Sequence, residues 1–207
     1  FNHFVKLFNT EASPNAIPKK LACVTDRDPV KKKKEPKCKF TACYPFDMHK
    51  DDEHYEYAVN AAEEEVAFRE HSYIRFFSQD VNKGKTFEYE LALCNPDLEL
   101  LITESMSNQA EIKNMMGGDY SQAKNNVKNN QNWDDVKTSL DNTDWEDDEK
   151  RRHLIAARYL SSLSKGENAL ELCIALEENY ELNADDERKK TFNVPQYIHN
   201  ALEWLLR

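Results

Sequence analysis

Two short apolar runs constrain this chain more than any other feature. The first, LACV at 21–24, breaks into Asp26 and Asp28, then Pro29, then four consecutive lysines. The second, SYIRFFSQ at 72–79, is rich in aromatic and β-branched residues. Neither carries a helical period, and both have strand length, so each predicts a buried strand. Between them, Tyr55, Ala58, Val59, Ala62, Val66 and Phe68 form a rough apolar stripe behind Asp51 and Asp52, which predicts a helix from about 51 to 71. Strand, helix, strand at this spacing predicts a right-handed βαβ unit. The expected fold class is α/β, a small parallel sheet flanked by helices.

Around that unit, Phe1, Phe4, Val5 and Phe8 predict an amphipathic helix at 2–10. Pro29 and Pro36 bracket the lysine run as a loop. Gly84 turns the chain, and Thr86 starts a short helix that runs to Asn95. PDLELLITESM reads as a further helix. From 107 to 146 the chain becomes rich in Asn and Gln and poor in apolar residues, which predicts a solvated, partly helical insertion. Helices at about 147–163, 166–180 and 195–206 close the chain, with Pro195 in the first turn of the last. The expected organisation is thus a core at 1–106, an insertion at 107–146 and a helical element at 147–207.

A net charge of −10 over 207 residues gives no general attraction to nucleic acid. The charge is uneven, however: residues 31–39 hold six lysines and one glutamate, a patch that suits a polyanion. Five cysteines, an odd number with no C-x-x-C spacing, predict a reducing, cytoplasmic compartment rather than a disulfide framework or zinc ribbon. No apolar run approaches the ~20 residues of a membrane span, and no signal peptide is evident. The chain opens without methionine, within a helical pattern, and reads as part of something longer.

The chemistry concentrates in a few acids and lysines. In open α/β sheets, ligands sit beyond the carboxyl ends of the strands, where Asp26 and Asp28 stand. Two carboxylates two residues apart in extended chain point the same way and repel. A hard divalent cation relieves that repulsion; a helix cap or a solvated turn is the plainer alternative. Glu88 and Glu90 form a second acidic pair, which by itself is better explained by two solvent-facing positions on a helix. Lys165, before Gly166 at a helix start, is placed to hold a phosphate or is an ordinary surface lysine. His49, His54, Asp51, Asp52 and Glu53 read as a solvated helix start, and Trp133 and Trp145 as local packing.

Taken in order, LACVTDRDP, KKKK, CYPF, KTFEYELALCN, KGENALELCIAL and FNVPQYIHNALEWL resemble the C-terminal nuclease region of the overcoming-lysogenization-defect (OLD) family. These are prokaryotic and phage proteins with an N-terminal ABC-type ATPase and a C-terminal Toprim domain. The likeness runs from the first helix to the last and skips the Asn-rich insertion. It implies a Toprim-like fold with an added C-terminal helical element, and metal-dependent cleavage of DNA in phage-related defence. It implies Asp26 and Asp28 as ligands of Mg²⁺ or Mn²⁺, with Ca²⁺ as an inactive occupant. Thr86 and Glu88 match the threonine and glutamate of the family's T-L-E motif, with Phe87 in place of leucine, and Glu90 falls on an acidic position just beyond. Lys165 matches the lysine of its K-G motif, expected to stabilise the transition state. Asp26, Glu88 and Lys165 are thus the expected catalytic residues. The family also uses a glutamate in an E-G context that these residues do not supply, and ATP enters only through an ATPase outside this chain.

Within that reading Lys31, Lys32, Lys33 and Lys34 grip DNA phosphates beside the cut, and pairing of whole proteins into a homodimer or larger oligomer is expected. Two other readings stay open. DRDPV also fits a haloacid-dehalogenase-type phosphatase, with Asp26 as nucleophile and Asp28 as acid/base. Alternatively, the chain is a catalytically degenerate Toprim module that binds DNA or a partner.

Overall fold

The computed structural model describes residues 2–48, 53–60 and 62–207, apart from the side chains of Asn2, Ala62 and Lys165. It is a mixed α/β structure whose chain divides into two compact units, one of residues 1–87 with 194–207 and one of residues 88–193.

The first unit is built on two parallel strands, β1 (Leu21–Val24) and β5 (Ile74–Phe77), with Leu21 opposite Ile74 and Val24 opposite Phe77. Alternation along each strand sorts the side chains onto two faces. Leu21, Cys23, Ile74 and Phe76 share one face and pack against Val5 and Phe8 of α1 (Asn2–Phe8) and against Phe68. Arg75 and Phe77 belong to the other face, where the Trp204 ring meets both. Trp204 lies on α9 (Gln196–Leu206), which packs along β1 and β5. Both faces of the parallel pair are therefore covered, as parallel strands require.

The connection between these strands differs from the expected single helix. The lysine run is not a loop. Val30–Lys33 is a strand, β2, at the centre of an antiparallel sheet between β3 (Thr41–Ala42) and β4 (Tyr55–Ala58). Three lysines tolerate this strand because alternation separates their charges and acids from a neighbouring strand and turn pair with two of them. Lys32 sits directly opposite Glu56 and pairs with it at 2.7 Å, while Lys31 reaches Asp47 at 3.3 Å. The expected 51–71 helix is replaced by β4 and a short helix, α2 (Ala62–Ala67). In β4 the Tyr-Glu-Tyr-Ala alternation puts Tyr55 and Tyr57 on the sheltered side and Glu56 outward, a period of two that wins over the helical stripe. His49, Asp51 and Asp52, the expected helix start, lie outside the described residues.

The helix α3 (Phe87–Cys94) starts at the last residue of the first unit, as the sequence predicts. In the second unit, PDLELLITESM gives only a 3-10 turn at Glu99–Leu101, closed by extended backbone at Leu98 and Ile102. The Asn-rich insertion is not a solvated appendage. It folds into α4 (Gln109–Met115), α5 (Tyr120–Asn126) and α6 (Gln131–Asp141). Its few apolar residues fall at core positions: Ile112, Met115, Tyr120, Ala123, Trp133 and Leu140 are buried. These three helices pack on α7 (Asp147–Leu160). The polar residues that resembled disorder supply helix ends: Asp119 accepts from the Gln122 N–H and Asn130 from the Trp133 N–H. Two bidentate pairs complete the packing. Arg158 grips Glu111 at 2.6 and 2.8 Å, and Arg151 grips Asp97 at 2.8 and 2.9 Å. After α7 comes α8 (Lys165–Glu181). No helix among the described residues is long and apolar enough to cross a membrane.

Candidate functional site

Beyond the carboxyl end of β1 the chain must turn within five residues into β2. Asp26, Arg27 and Asp28 make that turn, held by backbone bonds rather than by strand pairing. The Lys85 carbonyl accepts from the Arg27 N–H at 3.1 Å and from the Asp28 N–H at 3.0 Å. Asp28 has φ 41, in the left-handed region that aspartate tolerates better than most residues. The two acids are therefore not in extended chain, and strand alternation is not what brings them together. They nonetheless line one open cleft of about 420 Å³, with Val24, Thr25, Asn60, Phe87 and Tyr197. No basic residue lines it, and no hydrogen bond or ion pair reaches the Asp28 carboxylate among the described residues.

Asp26 is oriented by two donors on one oxygen. Its Oδ1 accepts from the Phe87 N–H at 2.8 Å and from Gln79 Nε2 at 2.9 Å. The first bond makes Asp26 a cap on the start of α3, where a carboxylate meets free N–H groups and the positive end of the helix. The plainer alternative for Asp26 is therefore present in the fold.

Gln79, which no sequence motif marks, organises the site. Its side chain is 2% exposed. Its Oε1 accepts from the Arg27 N–H at 3.0 Å, while Nε2 donates to Asp26 and, at 3.0 Å, to the Tyr197 hydroxyl. One buried amide thus ties β5, the acidic turn and α9 together. Gly84 makes room for it, since a Cβ there would lie 2.1 Å from Gln79 Cβ. Arg27 points away from its acidic neighbours into the interior. Its Nη1 donates to Ser78 Oγ at 2.9 Å and to Glu65 at 3.1 Å, and Ser78 also donates to Glu65. The only sequence hint of this scaffold is Ser-Gln immediately after the apolar run of β5.

The other expected site residues are distributed as follows. Thr86 is buried, immediately before α3. Glu88 and Glu90 occupy the first turn of α3. Two apart on a helix, they do not face one point, so they are not a converging pair. Glu90 accepts instead from the Cys94 thiol at 3.9 Å, and burial followed by the Glu90 charge pushes that thiol up to about 11. Asp26 and Asp28 belong to the first unit, Glu88, Glu90 and Lys165 to the second. Lys165 opens α8, but its side chain lies outside the described residues. Of the lysines, Lys31 pairs with Asp47 and Lys32 with Glu56; the residues Lys33 and Lys34 are more exposed.

Magnesium commonly takes one or two carboxylates, several waters and a substrate phosphate. Asp26 and Asp28 fit that donor set. Among the described residues no group of three or more His, Cys, Asp or Glu could hold a metal, so a full protein cage is not what the cleft offers. No family model, no characterised protein and no solved structure matches this chain.

Proposed function

We propose that this chain is the nuclease part of a metal-dependent DNA endonuclease of the OLD type, hydrolysing phosphodiester bonds with Mg²⁺ or Mn²⁺. The observation that carries the reading is the cleft beyond the end of β1. Two carboxylates, Asp26 and Asp28, line it together and its lining includes no basic residue, and two acids brought to one cleft at a strand end favour a cation. When bound, the cation supplies positive charge to the phosphoryl oxygens and a hydroxide near neutral pH. Asp26 and Asp28 hold it. Gln79 and the Phe87 N–H fix the orientation of Asp26 through Oδ1. Tyr197, hydrogen-bonded to Gln79, gives the cleft an aromatic wall. Lys33 and Lys34 stand exposed for DNA phosphates. Glu88 and Lys165 enter this reading from the family motifs alone.

The test is nicking of supercoiled plasmid with Mg²⁺ or Mn²⁺ by the protein that carries this chain. Asp26→Ala and Asp28→Ala are each expected to lower cutting at least about a hundredfold, the scale of losing one group that stabilises transition-state charge. Cutting that survives Asp26→Ala excludes the assignment. The absence of a three-ligand group among the described residues favours a second reading, a Toprim module that binds DNA without cutting it. Retained DNA binding with no nicking in either metal selects that reading.

A further inference from the structure

A second cleft, independent of the acidic turn, lies in the second unit between the 99–104 segment and α8. It encloses about 370 Å³. Its floor is aliphatic: Leu100, Ile102 and Ile174 line it, and Ile174 is 49% exposed. Its rim carries Glu99, Glu104, Glu171 and Glu178 and no base. Glu171 is fixed in place, accepting from the Ser105 N–H at 2.9 Å and from the Ser105 hydroxyl at 2.8 Å. No hydrogen bond or ion pair engages the carboxylates of Glu99, Glu104 or Glu178 among the described residues. One turn from Ile174 on α8, Leu170 is 67% exposed and extends the apolar strip.

This combination restricts the occupant. The four carboxylates repel nucleic acid and acidic peptides. The aliphatic floor gives nothing to a small hydrophilic cation, while an apolar partner without charge would leave the carboxylates uncompensated. We propose that this groove docks a basic amphipathic segment of a partner protein, seating aliphatic side chains on Leu100, Ile102 and Ile174 with Lys or Arg against Glu99, Glu104 and Glu178. Helix-in-groove recognition of this kind places anchors at i and i+4, the spacing of Leu170 and Ile174 on the receiving side. Rim charges set the salt dependence and the floor sets the affinity.

The test is fluorescence anisotropy with the intact chain and a short fluorescein-labelled helical peptide, leucines on one face and lysines on the other. Two control peptides replace the leucines by serine or the lysines by glutamate. The leucine–lysine peptide is expected to bind at least about tenfold more tightly than either control, and more weakly as salt rises. Glu104→Lys/Glu178→Lys and, separately, Ile174→Ser are expected to weaken it by about tenfold with melting temperature unchanged. Glu99→Lys replaces the double variant if that one fails to fold. Equal binding of the serine–lysine peptide would reduce the effect to general attraction to an acidic surface and overturn the proposal. So would unchanged binding by the variants. A wild-type dimer in sedimentation that Ile174→Ser dissociates would assign the groove to a second copy instead.

Discussion

Gln79, two residues beyond β5, commits its buried amide to three partners: the Arg27 N–H, Asp26 and Tyr197. Replacing it with leucine removes one hydrogen bond to the Tyr197 hydroxyl and one to Asp26, while the Arg27 N–H keeps the Lys85 carbonyl. Each hydrogen bond lost from a buried amide costs about 1 kcal/mol. Gln79→Leu is therefore expected to lower stability by about 2 kcal/mol in urea denaturation, with weaker cation binding because Asp26 loses an orienting donor. Gly84→Ala forces a Cβ into Gln79 and to 2.8 Å from the Asp80 carbonyl oxygen, for an overpacking cost of about 2–3 kcal/mol. Gly166 meets nothing within 4 Å and lies inside α8, so Gly166→Ala is expected to be neutral or to stabilise by about 0.5 kcal/mol. Opposite signs at two glycines would separate the close approach at residue 84 from ordinary helix propensity.

At the scale of elements, the Arg158–Glu111 pair joins α7 to α4 with side chains 6% and 16% exposed. The Arg158 hydrogen bonds hold the Glu111 carboxyl below its ordinary value, and the Lys128 N–H adds to that. A depressed carboxylate contributes stability that is present above the unfolded value, near 4, and is lost as pH falls through the folded value. Asp97 is lowered in the same direction by Arg151, though its half-exposed side chain makes its share small. Acid below about pH 4 is therefore expected to loosen the 88–193 unit. Fluorescence of Trp133, stacked under Arg158, reports it. Arg158→Met removes the guanidinium from a nearly buried carboxylate, which keeps the Lys128 N–H, and is expected to cost about 3 kcal/mol. Arg152→Ala, which breaks an exposed pair with Asp148, is expected to cost under about 0.5 kcal/mol. On β2, Lys33→Ala should weaken DNA binding at low salt more than at high salt with little change in stability. Equal binding by both forms at low salt contradicts a role for that strand.

The elements also mark how far sequence carries. The parallel pair and its two helical covers, α1 and α9, were legible because each keeps one period over its whole length. The lysine strand was not, because repulsion is counted between sequence neighbours while Asp47 and Glu56 arrive from elsewhere in the chain. The 107–146 helices were hidden by composition. Few apolar residues suffice when Ile112, Met115, Trp133 and Leu140 are all buried and Asn and Asp close the helix ends. At the candidate site, Asp26 and Asp28 could be read as a pair at a strand end. Gln79 and Tyr197 could not: a polar residue after one strand and a tyrosine near the C-terminus meet only once β1 and β5 pair and α9 covers them.

For the molecule as a whole, the first unit begins with α1 and is completed by α9, so the acidic turn depends on residues from both ends of the chain. With a net charge of −10, cation binding must be read against many surface carboxylates. If Asp26 and Asp28 hold one divalent cation, as proposed, titration with Mn²⁺, following loss of the free-ion electron paramagnetic resonance signal, detects it directly. One Mn²⁺ site is expected in the wild-type chain, weakened at least about tenfold in Asp26→Asn/Asp28→Asn, while Glu104→Gln/Glu178→Gln leaves it unchanged. Identical Mn²⁺ binding by the wild type and Asp26→Asn/Asp28→Asn would contradict it.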